Sequence, residues 1–152
     1  MRIQELISPR RVTHSLEVAS KKRLLEKLSA LLGRDAPEVN AQGAFQALIE
    51  RERLGSTAIG EGVALPHGRV KGLKKAVGAF ATLEHEMDFD AVDHKPVTMV
   101  FALLVPEEAT DEHLRILAEL AGVFSRKQVR RELAQAKNAE DLYQRLTRAT
   151  GV

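Results

Sequence analysis

Val97-Thr98-Met99-Val100-Phe101-Ala102-Leu103-Leu104-Val105 is apolar at odd and even positions alike. Successive side chains of a strand point to opposite faces, so a run that is apolar at both parities must be covered on both sides. Ala76-Val77-Gly78-Ala79-Phe80-Ala81-Thr82-Leu83 repeats the pattern, and Pro106 ends the later run. Two such strands require a sheet with helices on both faces, which places the chain in the α/β class.

The flanking sequence supplies those helices. Ser20 precedes Leu24, Leu25, Leu28, Leu31 and Leu32, one face of a helix that Gly33 stops. Asn40 caps a second helix, whose stripe is Ala41, Ala44, Phe45, Leu48 and Ile49; Gly55 closes it after Glu50-Arg51-Glu52-Arg53. From Ser56 the period changes. Ala58-Ile59 and Val63-Ala64-Leu65 read as brief strands around the turn Gly60-Glu61-Gly62. Beyond the long strands, a third helix starts near Thr110 or Asp111 and runs to about Phe124, with His113 facing inward beside Ile116, Leu117, Leu120 and Ala121. Val129 with Leu133, and Leu142 with Tyr143 and Leu146, mark two more short helices, the last capped by Asn138 with Asp141 three residues on. The residues before Ser20 are read as a short opening segment and those from Glu84 to Pro96 as a loop.

Composition narrows the function classes. A chain of 152 residues with 44% hydrophobic content fits one domain with one core. Without cysteine it has neither a disulfide framework nor a thiolate zinc site, which suits the cytoplasm. The opening Met1-Arg2-Ile3-Gln4-Glu5 lacks a signal-peptide core, and no run is long enough for a membrane span, so a soluble protein is expected. The net charge is only +2, aromatics are 4% and tryptophan is absent, which argues against nucleic-acid binding. Arg126-Lys127-Gln128-Val129-Arg130-Arg131 reads as a solvated helix face.

The residues that carry chemistry gather around Ala64-Leu65-Pro66-His67-Gly68-Arg69. Proline disfavours helix in the residue before it, glycine removes bulk, and an imidazole at such a strand end is free to act as nucleophile, proton shuttle or ligand. The bland alternative is a turn histidine without a task. No His pair falls at helical metal spacing, Gly-x-Ser-x-Gly is missing, and Gly60-Glu61-Gly62 lacks a following Gly-Lys-Ser/Thr. Metal, serine-hydrolase and direct ATP chemistry are thereby set aside. His67, an inward His113 in a helix's first turn and the arginines ending another helix suit phosphoryl transfer, which needs an in-line nucleophile and fixed positive groups. His113 is pushed toward neutrality by the helix dipole and by burial. Its alternative is a core histidine satisfied by a backbone carbonyl. Spacing alone does not choose between Arg51 and Arg53, which sit on opposite edges of the apolar stripe.

The block from Arg51 to Gly68, Arg51-Glu52-Arg53-Leu54-Gly55-Ser56-Thr57-Ala58-Ile59-Gly60-Glu61-Gly62-Val63-Ala64-Leu65-Pro66-His67-Gly68, resembles the signature of the fructose/mannitol-type IIA family of the bacterial phosphotransferase system, most closely its nitrogen-regulatory branch. The similarity continues through Phe89 to Asp93, Pro96-Val97, Phe101 to Pro106, His113-Leu114 and Leu142-Tyr143. The resemblance implies a single domain over residues 1–152 with a mixed sheet of about five strands between helices. It implies that His67 accepts a phosphoryl group from the phosphohistidine of a small HPr-like carrier, that His113 is a second active-site histidine, and that Arg51, rather than Arg53, lies beside the phosphoryl group. Ser56 and Thr57 match a hydroxyl pair with a weaker claim to phosphate contact, and His94 is given no role. No cofactor or metal is implied. The regulatory branch implies targets such as transporters or sensor kinases that respond to phosphorylation state; the alternative is a sugar-specific IIA component passing phosphate to a IIB domain.

Overall fold

The doubly apolar run from Val97 to Val105 forms the middle strand of a six-stranded mixed sheet. The structure, a computed structural model, describes residues 3–108 and 110–150. Met1 and Arg2 of the opening segment, Ala109, and the last two positions of the 1–152 domain lie outside the described residues. Strands β1 (Val12–Leu16), β2 (Ala58–Gly60), β3 (Val63–Ala64), β4 (His67–Val70), β5 (Val77–Met87) and β6 (Val97–Pro106) are arranged in the order β1-β5-β6-β3-β2, with β4 also paired to β6. β5 and β6 are antiparallel, β1 runs parallel to β5, and both β3 and β4 run parallel to β6.

The two parities of β6 divide the core. Val100, Ala102 and Leu104, with Ala79 and Ala81 of β5, pack under α1 (Lys21–Leu32) and α2 (Ala41–Arg53). Met99, Phe101, Leu103 and Val105, with Phe80, face the layer of α3 (Thr110–Ser125), α4 (Lys127–Ala134) and α5 (Ala139–Thr150). Side-chain size differs between the faces. Alanines of both central strands lie beneath α1 and α2, whereas on the far face Phe80 stacks on Phe124 at 5.7 Å between ring centroids. Every side chain named here is buried, as two-sided covering demands.

The caps expected from sequence form. Ser20 Oγ accepts the Arg23 N–H at 3.1 Å, Asn40 Oδ1 the Gly43 N–H at 2.9 Å, and Asn138 Oδ1 the Asp141 N–H at 2.8 Å. Gly33, expected to stop α1, does so in a right-handed conformation; the left-handed residue is Asp35, at φ 56°. Four other features differ from expectation, the first being that His67, read at the end of a strand, begins a further one, β4, because it pairs with Leu103 of β6. The opening segment contains β1, whose polar Thr13, His14 and Ser15 hide the strand period. It is held by pairing with β5 and by the Ser15 N–H donated to Thr82 Oγ1 at 2.9 Å. β5 continues to Met87 through the exposed Glu84, His85 and Glu86, so the connection to β6 is shorter than read. Arg130 is not part of a solvated face: its Nη1 donates to the Phe124 and Ser125 carbonyls at 2.8 and 2.9 Å, satisfying the end of α3.

One close approach positions the region around His67. Along the edge of β6, β3 and β4 are successive pieces of one path, interrupted at Leu65-Pro66, and the Pro66 carbonyl accepts the Leu103 N–H at 2.9 Å. A Cβ added to Gly68 would lie 2.7 Å from the Ala47 Cβ and 2.9 Å from its carbonyl carbon, so the backbone of α2 rests on this glycine. Arg51 is one turn further along the same helix. Gly68→Ala is expected to destabilise the fold by about 1–3 kcal/mol through overpacking, read as a lowered urea midpoint; an unchanged midpoint would show that α2 is not seated there.

Candidate functional site

Leu65 and Pro66 break the strand path, and the residue after the break turns its side chain back on the break. His67 is half-buried, and its Nδ1 lies 2.7 Å from the Leu65 carbonyl oxygen. A carbonyl can only accept, so Nδ1 carries the proton and the Nε2 lone pair is left free. Burial holds His67 below the ordinary histidine pKa. The bond to Leu65 favours the charged ring and works against that shift, as does Glu52, while the Arg51 and Arg69 guanidiniums reinforce it. The result is a neutral imidazole with a defined tautomer.

His113 comes from the first turn of α3. Its ring centroid is 5.2 Å from that of His67, with the planes at 68°, and the residue is only 6% exposed. Neither ring nitrogen has a hydrogen-bond partner among the described residues, so the backbone carbonyl that would make it a satisfied core histidine is not there. Burial, followed by the neighbouring His67, Arg69 and Arg51, pushes its pKa down to about 4. An unmade bond at a buried polar group costs roughly 1–3 kcal/mol, which an acceptor placed beside the ring would recover.

A depression of 310 Å³ opens beside His67, lined by Arg51, Ser56, Thr57, Ile59 and Leu117 among others. Arg51 is partly buried and its Nη1 donates to the Gly55 carbonyl at 2.9 Å. Arg53 is exposed and takes no part in the lining, so the fold separates two arginines that helical spacing does not. The hydroxyls of Ser56 and Thr57 are both engaged. Ser56 Oγ donates to the Phe89 carbonyl and accepts the Ala58 N–H at 3.1 Å. Thr57 Oγ1 donates to Glu52 at 2.6 Å, and the Thr57 N–H donates to the same carboxylate at 3.0 Å. His94 lies apart, on the connection between β5 and β6, at φ 60°.

Sequence reasoning passed over Glu52. It is 8% exposed and pairs with Lys21 Nζ at 2.9 Å; the same ammonium lies 4.4 Å from the centre of the Phe89 ring. A signal was available, because Glu52 extends the Ala44, Leu48 stripe of α2 at the helical spacing, a position where a carboxylate has to find a partner. Ile59, in the lining of the depression, exposes a large apolar side chain, as do Leu54, three residues after Arg51, and Leu114, next to His113 in sequence. A neutral imidazole with a free Nε2 lone pair, a guanidinium lining the same depression and an imidazole without a partner among the described residues form a site able to receive an anionic group.

Residues 5–149 match the family described as phosphoenolpyruvate-dependent sugar phosphotransferase system, EIIA 2. The chain is 43% identical over 144 residues to a nitrogen regulatory protein of Pseudomonas aeruginosa, covering 95% of this chain and 94% of that one. The crystal structure of the nitrogen regulatory protein IIA-Ntr from Neisseria meningitidis superposes with a TM-score of 0.87 at 46% identity, over 95% of this chain and 99% of the other. The mannitol IIA protein of Escherichia coli shares the fold alone, with a TM-score of 0.77 at 20% identity over 92% and 98% of the two chains.

The site generates a pH signature. Between a pKa of about 4 in the folded protein and the ordinary histidine value of 6.5, the unfolded chain binds the His113 proton and the folded chain does not. Stability therefore falls as pH is lowered through that window and is fully present above it. Ring resonances of His113 are expected to titrate with a midpoint of about 4, after the urea midpoint has fallen between pH 6.5 and that value; a ring midpoint at 6.5 would mean that the ring is solvated.

Proposed function

The chain belongs to the EIIA 2 family of the phosphoenolpyruvate-dependent sugar phosphotransferase system and is similar over nearly its whole length to nitrogen regulatory IIA proteins. From that premise we propose that it is a phosphohistidine carrier and regulator, which takes a phosphoryl group onto His67 from the phosphohistidine of an HPr-like carrier. The observation that carries the reading is the Nδ1 bond of His67 to Leu65 beside a buried, unpartnered His113.

In the step itself, the Nε2 lone pair attacks phosphorus in line while the donor's N–P bond breaks and its imidazole keeps the electron pair. Positive charge develops on the His67 ring, and the Leu65 carbonyl, which favours the charged ring, offsets it. Arg51 has N–H groups beyond the one given to Gly55 and turns them to the equatorial oxygens. His113 donates one N–H as a neutral group, compensating charge without fixing the phosphate as a second cation would. Ser56 and Thr57 shape the wall of the site, and phosphate contact from either hydroxyl requires exchange of its present partner. The exposed Leu54, Ile59 and Leu114 give the carrier an apolar rim to dock on.

The chemistry calls for no cofactor or metal. We assign the whole 1–152 chain to one fructose/mannitol-type IIA domain that works in the cytoplasm, where phosphorylation of His67 changes binding to targets such as transporters or sensor kinases. A second reading, a sugar-specific IIA component that hands phosphate to a IIB domain, has the family's sugar-system description in its favour. The higher identity to nitrogen regulatory proteins favours regulation.

Incubation with a phosphorylated HPr-like carrier is expected to give acid-labile, base-stable phosphate that disappears in His67→Ala; label surviving in that variant would overturn the assignment. Arg51→Gln is expected to slow transfer by about 10²-fold with the fold intact. Partner capture that differs between the phosphorylated and unmodified protein supports regulation, whereas rapid loss of label to a sugar-transporter IIB domain supports the second reading.

A further inference from the structure

Glu52 is buried, charged and unused by the chemistry described so far. Its contacts lead to the His67 imidazole through hydrogen bonds linked by the backbones of Thr57 and Leu65. Lys21 Nζ donates to the carboxylate at 2.9 Å, and the carboxylate takes both the Thr57 N–H at 3.0 Å and the Thr57 hydroxyl at 2.6 Å. The Thr57 carbonyl accepts the Leu65 N–H at 3.0 Å, and the Leu65 carbonyl accepts Nδ1–H of His67 at 2.7 Å. The residue whose carbonyl selects the His67 tautomer is thus held through its own N–H by Thr57, which Glu52 clamps twice.

We propose that Glu52, balanced by Lys21, is the positioning residue of the site, acting through Thr57 and Leu65 to hold His67 with Nδ1 protonated and Nε2 toward the depression. The proposal rests on His67 being the phosphoryl acceptor and deepens that reading. The physical reason lies in the break at Leu65-Pro66. Proline offers no N–H, so the Leu65–Pro66 peptide is held from its two flanks: the Pro66 carbonyl accepts the Leu103 N–H of β6, and the Leu65 N–H is given to Thr57. Thr57 supplies the restraint on the Leu65 side, and the buried carboxylate keeps Thr57 from moving. Burying a carboxylate is tolerable only because Lys21 and the two Thr57 donors satisfy it. The same network ties the first residue of α1 to the last turn of α2, where Arg51 is carried. Glu52 therefore restrains the nucleophile and the neighbouring guanidinium together. It touches neither substrate nor reacting atom and is not a catalytic residue.

The test uses the full chain and two readouts. The side-chain nitrogen chemical shifts of His67, measured on unmodified protein at pH 7.5, report the tautomer and need no phosphate donor. The rate of labelling by a phosphorylated HPr-like carrier reports the function. In Glu52→Ala the His67 ring is expected to move from Nδ1–H toward a mixture of tautomers, and labelling to slow by ~10–100-fold, the scale of a small misplacement of a reacting group. Glu52→Gln keeps an acceptor for the Thr57 N–H and is expected to restore the tautomer and most of the rate. Should Glu52→Ala fail to fold, Thr57→Val removes the hydroxyl bond alone and is expected to shift the tautomer in the same direction to a smaller extent. A folded Glu52→Ala protein with an unmoved tautomer overturns the proposal, whether labelling is unchanged or slowed. Wild-type protein that takes no label at His67 overturns the functional reading instead, and the tautomer measurement still decides whether Glu52 holds the ring.

Discussion

Two-sided burial of β6 is the constraint from which the rest of the structure follows. A strand whose neighbouring positions are all apolar cannot leave either face to water, so helices must cover both. The small residues of one face admit α1 and α2, and the aromatic residues of the other support α3 to α5. β6 also serves as the template on which the path through β3 and β4 is laid. His67 takes its place opposite Leu103 because of that pairing, and His113 reaches it from α3, on the layer that Leu103 faces. The site therefore sits at the edge of the central strand, with α2 on one side and α3 on the other.

Electrostatics at this edge is a balance in which desolvation leads. Burial keeps both histidines neutral, and the guanidiniums of Arg51 and Arg69 act in the same direction. Neutral imidazoles beside fixed cations suit the phosphoryl exchange proposed for this site, in which a nucleophile would need its lone pair and an anion a positive field. The buried Glu52 carboxylate opposes that field at His67, and its charge is matched by Lys21 on the side of α1. Removing either partner would leave the other uncompensated. This explains why the first turn of α1, remote from His67 in sequence, is joined to the site.

Much of this arrangement was legible before the structure. Both long strands, the helical stripes and the caps at Ser20, Asn40 and Asn138 follow from period and local chemistry, because each is decided by residues within a few positions of one another. What escaped was decided at a distance. β1 is polar along much of its length and is a strand because β5 offers it an edge. Arg130 sits in a basic run yet points at the end of α3, a contact that charge patterning does not contain. Glu52 lay on the apolar stripe of α2, and only the neighbouring Lys21 and Thr57 reveal why a carboxylate occupies it.

The sequence by itself determined the α/β class, the helix ends, and the presence of His67 after a proline and His113 in a first helical turn. These are consequences of side-chain period and local hydrogen bonding, which act over a few residues. Helical spacing left Arg51 and Arg53 equivalent, and the resemblance pointed to Arg51; the tertiary structure puts Arg51 in the lining, leaves His113 without a partner among the described residues, and brings the Leu65 carbonyl to accept the Nδ1–H of His67. Each of these depends on where one element lies against another. The seating of α2 on Gly68 and the pairing of His67 with Leu103 set those positions, and neither contact is written in the spacing of any single segment.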